Sequence, residues 1–484
     1  MKRYRLHIWP IWLLLGMMFL AACQSDALPG DDMGGGKQIV AHGDSSYINL
    51  RIINNQIPMT RATEAATAKE NAIYDGILCI FEGDNESTAQ LKTAVVIDQL
   101  INNPGNNAII DITQRLASTH PYDGHLYVLA LLNTISSGFT VSNNTLYHKG
   151  VSQTDKTISQ IQTLQINSVG STEEHVGLFM SNAPQDNGTG GISIMPEVTS
   201  TYLYDTEATA ASGNRLTINV ERAAARVKVT NKATSVYSIN LDGDDSRHPT
   251  VHKMTWTLHN YNTQSYAIRN DFTAEQNWAT SITDSPISFV NSGTDAFDLY
   301  QQHSYKDGDA VYIAENTTQT ANDQTQVLVE VQLKEGSFLL GDCYRYRHWP
   351  DDIFFTSGEE FIQYCKAGWK ENFSQNNNYE IIREKSADEV FKYYSFVINN
   401  DGTVTLTIKN DSFTDSEKLG LRTLSSILSN TLTGYREGKM YFHYKINHDA
   451  THEFGVVRNN AYNLNFNYVP AIGDPVPTPI VVTP

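Results

Sequence analysis

Apolar and polar residues alternate in many short runs along this chain, and such alternation is typical of β-strands with one buried face. The first clear run spans residues 47–54, where Ile48, Leu50 and Ile52 share one face and polar side chains share the other. The pattern predicts a half-buried strand close to the N-terminus. Residues 415–431 differ, since their leucines recur at helical spacing and predict one helix.

Further strand-like runs follow at short intervals, separated by polar turns. They lie at 76–81, 125–133, 175–184, 191–198, 254–258, 327–333, 393–398, 403–409, 440–446 and 462–468. Residues 88–101 fit a short helix or a strand, and the pattern leaves both open. Many short strands at such spacing predict an all-β fold of the sandwich type with small helical inserts.

The buried face switches once within a long apolar stretch. Leu216, Ile218 and Val220 are apolar at even positions, but between 223 and 229 the apolar residues stand at odd positions. A change of phase by one residue means a bulge, or a strand that leaves one core and enters another. We predict a domain boundary near Arg222; a bulge within one large sandwich is the alternative.

The N-terminal segment is predicted to be a lipoprotein signal over residues 1–23. Basic residues come first, an apolar run covers 11–20, and small residues stand directly before Cys23. This arrangement places the Cys23 thiol where it could be acylated, whereas an ordinary secretory signal would end in a small-residue site alone. The polar stretch that follows is predicted to be a tether, so that residues 24–61 comprise the tether and the first strand.

The segment after the first strand is a candidate site for proteolysis. It is polar, contains loop-favouring residues and holds one basic residue, Arg61, followed by Ala62. Exposed stretches of this kind are preferred by trypsin-like proteases. A cut between Arg61 and Ala62 would separate strand 47–54 from the body and open an apolar groove. Arg51 is a second basic residue, which we interpret as facing solvent from the strand.

The C-terminal part combines an alternating strand with a proline-rich tail over residues 470–484. Proline lacks the N–H that a sheet ladder needs, so this tail is not expected to form a central strand of its own sheet. An extended tail could instead lie along a groove of a neighbouring molecule with its apolar side chains inserted. The predicted donor residues are Tyr462, Leu464, Phe466, Tyr468, Ile480 and Val482.

Charge, composition and the absence of known motifs limit the kinds of partner and reaction that the sequence predicts. The net charge is −18 with a pI near 5.2, and no basic cluster is evident, which argues against nucleic acid as a partner. No G-x-S-x-G, H-E-x-x-H or glycine-rich phosphate loop occurs in the sequence. We therefore predict a protein that is not an enzyme and uses no cofactor. His248, His252 and His259 follow several aspartates, but a solvated turn explains them better than a metal site does.

Two of the four cysteines form a candidate pair. Cys343 and Cys365 would close a loop of about 22 residues, which in an oxidising compartment adds on the order of 3 kcal/mol to stability. The sequence leaves the bond open, because it does not reveal whether the two Cα atoms come within reach. Cys79 lies in an apolar run and is interpreted as a small core residue.

Motifs at both ends and in the middle of the chain resemble those of the Bacteroidia-type fimbrillins, the subunits of type V pili. They are the lipoprotein signal, TRA at 60–62 before strand 76–81, VERAAARVKV at 220–229, FGVVRNNAYNL at 454–464 and GDP at 473–475. The resemblance implies two transthyretin-like β-sandwich domains, here at 62–222 and 223–469. It also implies export as an outer-membrane lipoprotein with palmitate on Cys23.

The same resemblance implies how such a subunit assembles. An arginine-specific protease would cut after Arg61, the strand carrying Ile48, Leu50 and Ile52 would be displaced, and the C-terminal segment of another copy or a related fimbrial subunit would fill the groove. The chain is then predicted to be a stalk subunit of an extracellular fimbrium that supports cell adhesion. The alternatives are a tip or accessory subunit, or a monomeric surface lipoprotein that binds glycan or a host protein through its aromatic insert at 344–369.

Overall fold

The computed structural model of the chain describes most of the residues after position 45. The described ranges are 46–54, 66–102, 109–116, 124–173, 175–186, 192–233, 236, 239–262, 264–269, 303–317, 323–347, 352–373, 377–448, 455–467, 469 and 472–477. All structural statements below refer to these residues.

Short β-strands make up most of the regular structure. The strands are β1 Ser46–Asn54, β2 Gly76–Gly83, β3 Gln90–Val96, β4 Ile109–Leu116, β5 His125–Leu132, β6 Phe139–Ser142, β7 Thr145–His148, β8 Val151–Ser152, β9 Gln165–Ile166, β10 Met180–Asn182, β11 Gln185–Asp186, β12 Ile192–Ser193, β13 Glu197–Val198, β14 Leu203–Tyr204, β15 Leu216–Arg222, β16 Ala224–Asn231, β17 Thr250–His259, β18 Ser265–Tyr266, β19 Tyr305–Lys306, β20 Ala310–Ala314, β21 Gln326–Glu335, β22 Phe338–Leu339, β23 Cys343–Tyr346, β24 Ile353–Phe355, β25 Tyr393–Ile398, β26 Val404–Lys409, β27 Leu432–Tyr435, β28 Lys439–Lys445 and β29 Ala461–Phe466.

Helices are few, and most are short. They are α1 Ala68–Asn71, α2 Asp98–Asn102, α3 Ile158–Gln162, α4 Glu207–Ser212, α5 Gly358–Ala367, α6 Ala387–Val390 and α7 Asp415–Thr431, with 3-10 turns at Thr134–Ser136, Ser200–Tyr202, Asn377–Ile382 and Arg436–Gly438 and a π turn at Trp369–Phe373. The all-β class with small helical inserts is confirmed. The stretch 88–101, left open by the sequence, contains both β3 and α2.

A nine-stranded sheet forms the first β-region. Its order is β14-β1-β15-β10-β5-β2-β3, with β4 paired to β1 and β13 paired to β5. The central strand β5 is apolar at almost every position because both of its faces are buried. Alternate residues of β2 show the same arrangement: Ile77, Cys79 and Phe81 join one core, whereas Leu78 and Ile80 join the core on the other face.

Two smaller sheets enclose the core of the second β-region. One has the order β20-β16-β29, and the other has the order β19-β17-β21-β22 with β28 paired to β21. Trp256 of β17 is fully buried between them, together with Val227 of β16 and Val329 of β21. This is the arrangement of a sandwich, in which inward-facing side chains of two sheets share one core.

The predicted switch of the buried face at 222–224 is a passage from one sheet to another. β15 lies in the nine-stranded sheet and β16 lies in the sheet of the second β-region. Accordingly Ile218 and Val220 contribute to a core of the first region, and Val227 and Val229 to the core of the second. The domain limits 62–222 and 223–469 stay a prediction, to which this passage lends support.

An insert over residues 343–435 has a core of its own. The hairpin β25-β26, the sheet β24-β23-β27 and the helices α5 and α7 surround it. Helix α7 begins with a capping box, in which Thr414 accepts a hydrogen bond from the Glu417 backbone N–H and the Glu417 carboxylate accepts one from Thr414. Two backbone N–H groups at the N-terminal end of the helix are thereby satisfied in a reciprocal way. The helix predicted at 415–431 is confirmed.

The structure corrects the candidate disulfide, since Cys343 and Cys365 are both free and buried. Cys343 contributes to the core of the second β-region, but Cys365 contributes to the core of the insert. Neighbouring strand residues point to opposite faces, and it is Tyr344 that faces the insert core. Burial raises the pKa of the Cys343 thiol to about 12 and also raises that of Cys365, so both stay protonated.

Candidate functional site: the N-terminal strand and its groove

Strand β1 is an internal strand of the nine-stranded sheet. On one side it pairs antiparallel with β4 along almost its whole length. On the other side its first residues pair with β14, and residues from Leu50 onward pair parallel with β15. A strand with partners on both sides contributes two ladders of hydrogen bonds to the sheet.

The apolar face of β1 is completely enclosed. Ile48, Leu50 and Ile52 each have 0% of their surface exposed, and all three belong to one core with residues of β4 and β15. Burying an aliphatic side chain of this size contributes roughly 1.5–3 kcal/mol. The period-2 pattern read from the sequence therefore corresponds to a real buried face.

The polar face of β1 is held by an ion pair. The Arg51 guanidinium donates two hydrogen bonds to the Asp111 carboxylate of β4, at 2.7 and 2.9 Å. These bonds hold the pKa of the Asp111 carboxyl below its usual range and raise that of Arg51. Arg51 therefore lies in a paired strand with its charge neutralised, which makes it a poor protease site in the folded chain.

The last residue of β1 contacts the segment that resumes after the undescribed stretch 55–65. The Asn54 amide donates a hydrogen bond of 3.1 Å to the Asn71 side chain, and Asn71 also accepts one from Arg222 at 3.4 Å. The end of β1 and the beginning of the following body are thus neighbours.

Removal of β1 would leave a slot between two strands. In the described part of the chain β4 pairs with β1 alone, so it would lose its ladder entirely. Strand spacing places β4 and β15 about 9.6 Å apart across β1, which is the room that one strand occupies. Buried residues of both walls, such as Ile112 and Ile218, would face the slot.

The C-terminal strand β29 lies within the chain's own second β-region. It pairs parallel with β16 from Ala461 to Phe466. Tyr462 and Phe466 are buried in that core, and Leu464 packs against it. Three of the six predicted donor residues are therefore engaged inside their own chain, and their release for donation stays a prediction.

The beginning of the proline-rich tail is docked on the same chain. Asp474 and Tyr441 exchange backbone hydrogen bonds of 2.9 Å, which places the tail beside the outer edge of β28. The Tyr435 hydroxyl donates to the Gly473 carbonyl at 3.1 Å. Pro475 lies against Gly402, where an added Cβ would come within 2.4 Å of the proline ring. Glycine is required there by this close approach and by its positive φ.

Three buried ion pairs lie where the two β-regions meet. Glu70 pairs with Arg226 at 3.2 Å, and Glu221 pairs with Arg269 at 2.6 Å. The third pair joins Glu315 and Arg458. They link the segment before β2 to β16, and β15 to the residues after β18.

In the third pair, the position of Glu315 beside Arg458 determines the direction in which the pKa of its carboxyl shifts. Burial raises the pKa of the Glu315 carboxyl, but the adjacent Arg458 guanidinium outweighs this effect and leaves the pKa below its ordinary value. Removing one member of such a pair leaves an uncompensated charge in the interior. Of the three pairs, Glu70–Arg226 joins the first β-region to β16 of the second.

The two central motifs of the family resemblance meet at this junction. The Asn459 backbone N–H donates to the Ala224 carbonyl at 2.8 Å, and the Arg226 N–H donates to the Asn460 carbonyl at 2.9 Å. VERAAARVKV and the described part of FGVVRNNAYNL are thus adjacent elements of one structure. Their Arg and Glu residues carry the ion pairs that sequence reasoning had left unassigned.

Several predicted site residues lie outside the described part of the chain. They are Cys23, Arg61, Ala62, Tyr468, Ile480 and Val482. Lipidation at Cys23, cleavage after Arg61 and the insertion of the last apolar residues stay predictions.

Sequence reasoning missed β4, although a signal was present. Ile110, Ile112, Gln114 and Leu116 stand at even positions, and the last three are buried. The same period-2 criterion that identified β1 applies to this run. The exposed Ile109 beside Ile110 breaks the alternation at the start of this run.

Most of the described aromatic residues within 344–369 are buried. Tyr344, Tyr346, Phe361 and Trp369 are all buried in the insert core. The Trp369 indole N–H donates to the Lys385 carbonyl at 3.0 Å. The described aromatic residues of 344–369 therefore do not offer an exposed platform for a glycan, and Trp349 lies outside the described residues.

The described residues contain neither a metal-site cluster nor a membrane-spanning helix. No group of His, Cys, Asp and Glu side chains there is arranged to hold a metal ion. Asp242 instead pairs with Arg247 at 2.8 Å, and His248 contacts the Ile239 carbonyl. None of the described helices combines the length and apolarity needed to cross a membrane.

Comparisons with known proteins point to one family. Residues 433–482 match the family described as major fimbrial subunit protein type IV, fimbrillin, C-terminal. No curated protein matches the chain. Among solved structures, a fimbrial assembly protein from Parabacteroides distasonis is similar with a TM-score of 0.32 and 11% identity over 67% of this chain and 88% of the other.

Two further solved structures match with similar TM-scores, sequence identities and coverages. A candidate cell adhesion protein from Parabacteroides distasonis has a TM-score of 0.33 and 14% identity, covering 63% of this chain and 77% of its own. One from Bacteroides eggerthii has a TM-score of 0.31 and 13% identity, covering 66% and 80%. The match at 433–482 agrees with the resemblance to the Bacteroidia-type fimbrillins that the sequence motifs indicated.

Proposed function

We propose that this protein is a structural stalk subunit of a fimbrium and that it polymerises by protease-triggered strand exchange. The observation that carries the proposal is the position of β1, an internal strand whose three apolar side chains are fully enclosed. A removable strand in this position keeps the groove closed until the chain is cut. The precursor would reach the outer membrane as a lipoprotein acylated at Cys23.

Cleavage between Arg61 and Ala62 by an arginine-specific protease would disconnect β1 from the rest of the chain. The strand would then be held only by noncovalent contacts, and a strand from another copy could replace it. The incoming strand regains the ladders with β4 and β15 and buries aliphatic side chains again, so filling the groove that β1 has left is favourable. Contact of this head-to-tail kind does not close and gives a filament.

The C-terminal tail is suited to act as the incoming strand. Ile480 and Val482 stand two residues apart, as Ile48, Leu50 and Ile52 do, so both could face the core of a neighbour. The prolines at 475, 477 and 479 all stand at odd positions, so in an extended strand their missing N–H groups would fall on one edge. The even residues keep their donors for the other edge.

The experiment is limited trypsin treatment of the purified precursor, followed by electrophoresis in SDS without heating. We expect a ladder of SDS-resistant polymers, loss of the segment up to Arg61 by mass spectrometry, and no ladder for Arg61→Ala. Arg51→Ala is the matched control, because it removes the other basic residue near β1 and should still polymerise. A chain ending at Pro477 should be cut normally and stay monomeric.

A trimmed monomer from the unmodified precursor would contradict the proposal. The same is true of a ladder that forms equally well with Arg61→Ala. A chain that is cut and accepts a tail but does not donate one would instead occupy the end of a fimbrium, as a tip subunit does.

A further inference from the structure

A polar groove runs through the insert between β26 and α7. Its cavity has a volume of about 1080 Å³, and the beginning of the C-terminal tail lines one end. Thr405 and Thr407 of β26 form one wall, and Ser426 and Asn430 of α7 form the other. These four side chains point away from the insert core, which takes the alternate residues of β26.

The two walls run antiparallel and in step. Ser425 of α7 bonds to Ile408 of β26, and one helical turn later Ser429 bonds to Leu406. Alternate strand residues are roughly 6.6 Å apart. Helix residues four positions apart rise by roughly 6 Å. Hydroxyl and amide groups therefore face each other at a regular spacing along the groove.

Cations gather at one end of the groove. Lys409 of β26 and Lys418 and Arg422 of α7 all line it, and within the described ranges none of these three side chains forms an ion pair. Altogether five cations and three carboxylates line the cavity, and one of the five cations, Arg345, is paired with Asp352. This positive balance is notable in a chain whose net charge is −18. Unpaired cations in an acidic protein favour an anionic ligand.

The groove is poorly suited to a peptide. A peptide that adds a strand to β26 needs the free backbone N–H groups of its outer edge. Those of Leu406 and Ile408 already donate to Ser429 and Ser425, at 2.9 and 3.0 Å. The walls offer instead hydroxyl and amide side chains, which both donate and accept, as sugar hydroxyls do.

We infer that this groove binds an acidic oligosaccharide, with its carboxylates or sulfates at Lys409, Lys418 and Arg422 and its sugar hydroxyls along Thr405, Thr407, Ser426 and Asn430. The site is separate from the buried aromatic residues of the insert. It also does not depend on strand exchange, because β1 lies in the first β-region. The uncut monomer should bind as well as the polymer does.

The test uses the uncut full-length precursor and isothermal titration calorimetry with oligogalacturonate as the probe. A malto-oligosaccharide of equal length is the neutral control, and an oligoglutamate of equal charge is the peptide control. Binding of oligogalacturonate should weaken as salt rises from about 0.05 to about 0.5 M, because screening reduces the attraction between charges. A sulfated oligosaccharide separates sulfate from carboxylate recognition.

The variant Lys418→Gln/Arg422→Gln removes two cations of the groove. Its matched control is Lys253→Gln/Lys306→Gln, which makes the same change in net charge at exposed residues of the second β-region. Loss of charge-assisted hydrogen bonds should weaken oligogalacturonate binding roughly tenfold or more in the first variant. The control should bind as the unmodified chain does. Ser426→Ala should also weaken binding without changing its dependence on salt.

The expected result is binding of the acidic sugar, with the first variant alone impaired. An equal loss in both double variants would overturn the inference, since it would mean general attraction between charges. Absence of binding, equal binding of the neutral sugar, or binding of oligoglutamate in place of the sugar would overturn it as well. Polymerisation after trypsin is measured separately, so failure here leaves strand exchange untouched.

Discussion

The substitution Leu50→Ala tests whether β1 closes the groove with its apolar face. Leu50 is fully buried in the middle of β1 and shares a core with β15 and β5. Truncation of a fully buried leucine removes its transfer free energy and leaves a cavity. Such changes cost about 2–5 kcal/mol. We expect the free energy of unfolding of the uncut precursor to fall by this amount.

The assay is urea unfolding of the precursor followed by tryptophan fluorescence. Arg51→Ala is the matched control in the same strand. The Arg51–Asp111 pair is well exposed, with 39% of each side chain accessible, so its loss should cost far less than the loss of the Leu50 side chain. The contrast between adjacent residues isolates the contribution of the buried face.

The same substitution has a kinetic consequence. Once the chain is cut, β1 is held only by its contacts, and weaker contacts speed its departure. Each 1.36 kcal/mol corresponds to about a tenfold change in rate, so Leu50→Ala should polymerise at least about tenfold faster after trypsin. A precursor stability within about 1 kcal/mol of the unmodified chain would refute the reasoning. So would an unchanged polymerisation rate in a clearly destabilised precursor.

Other parts of the structure give three further predictions. Glu315→Gln leaves the buried Arg458 without its charged partner and should lower the free energy of unfolding by about 3–5 kcal/mol. The control Glu437→Gln removes an exposed pair and should lower it by at most about 1 kcal/mol. Urea titrations of both variants measure these changes. The pKa of Glu315 in the folded protein lies below its ordinary 4.5, so the Glu315 carboxylate stabilises the fold above pH 4.5, and this stabilisation is lost as the pH falls through the folded pKa. Glu315→Gln should therefore make the free energy of unfolding depend less on pH in this acid range. An unchanged dependence on pH would contradict the prediction. Cys343 and Cys365 are free, so a reducing agent should leave the melting temperature unchanged, and a thiol reagent should react with both residues only after unfolding; a mass lower by two hydrogens under oxidising conditions would speak for a bond.

The sequence alone determined the elements whose pattern is local. The alternation of Ile48, Leu50 and Ile52 identified β1, and the spacing of leucines identified α7. The phase change at Arg222 located the passage between two sheets. Each of these signals arises because side-chain direction repeats with period 2 in strands and 3.6 in helices, and burial then selects apolar residues at that period.

Only the tertiary structure decided which elements meet. β1 pairs with β4 and β15, and Arg51 pairs with Asp111 sixty residues away. No local pattern encodes such partners, because pairing depends on how distant segments come together. The family resemblance implies that the C-terminal strand is donated, but it gives no sign that β29 pairs with β16 of its own chain.

Burial of the cysteines and aromatic residues was decided in the same way. From the sequence, Cys343 and Cys365 could have formed a disulfide, and Trp369 could have contributed to a binding surface. In the structure the two cysteines lie in different cores and Trp369 is buried. A residue type limits the chemistry that a position can perform. The direction of its side chain and the segments packed against it determine whether that chemistry is used, and both are set by contacts far apart in the chain.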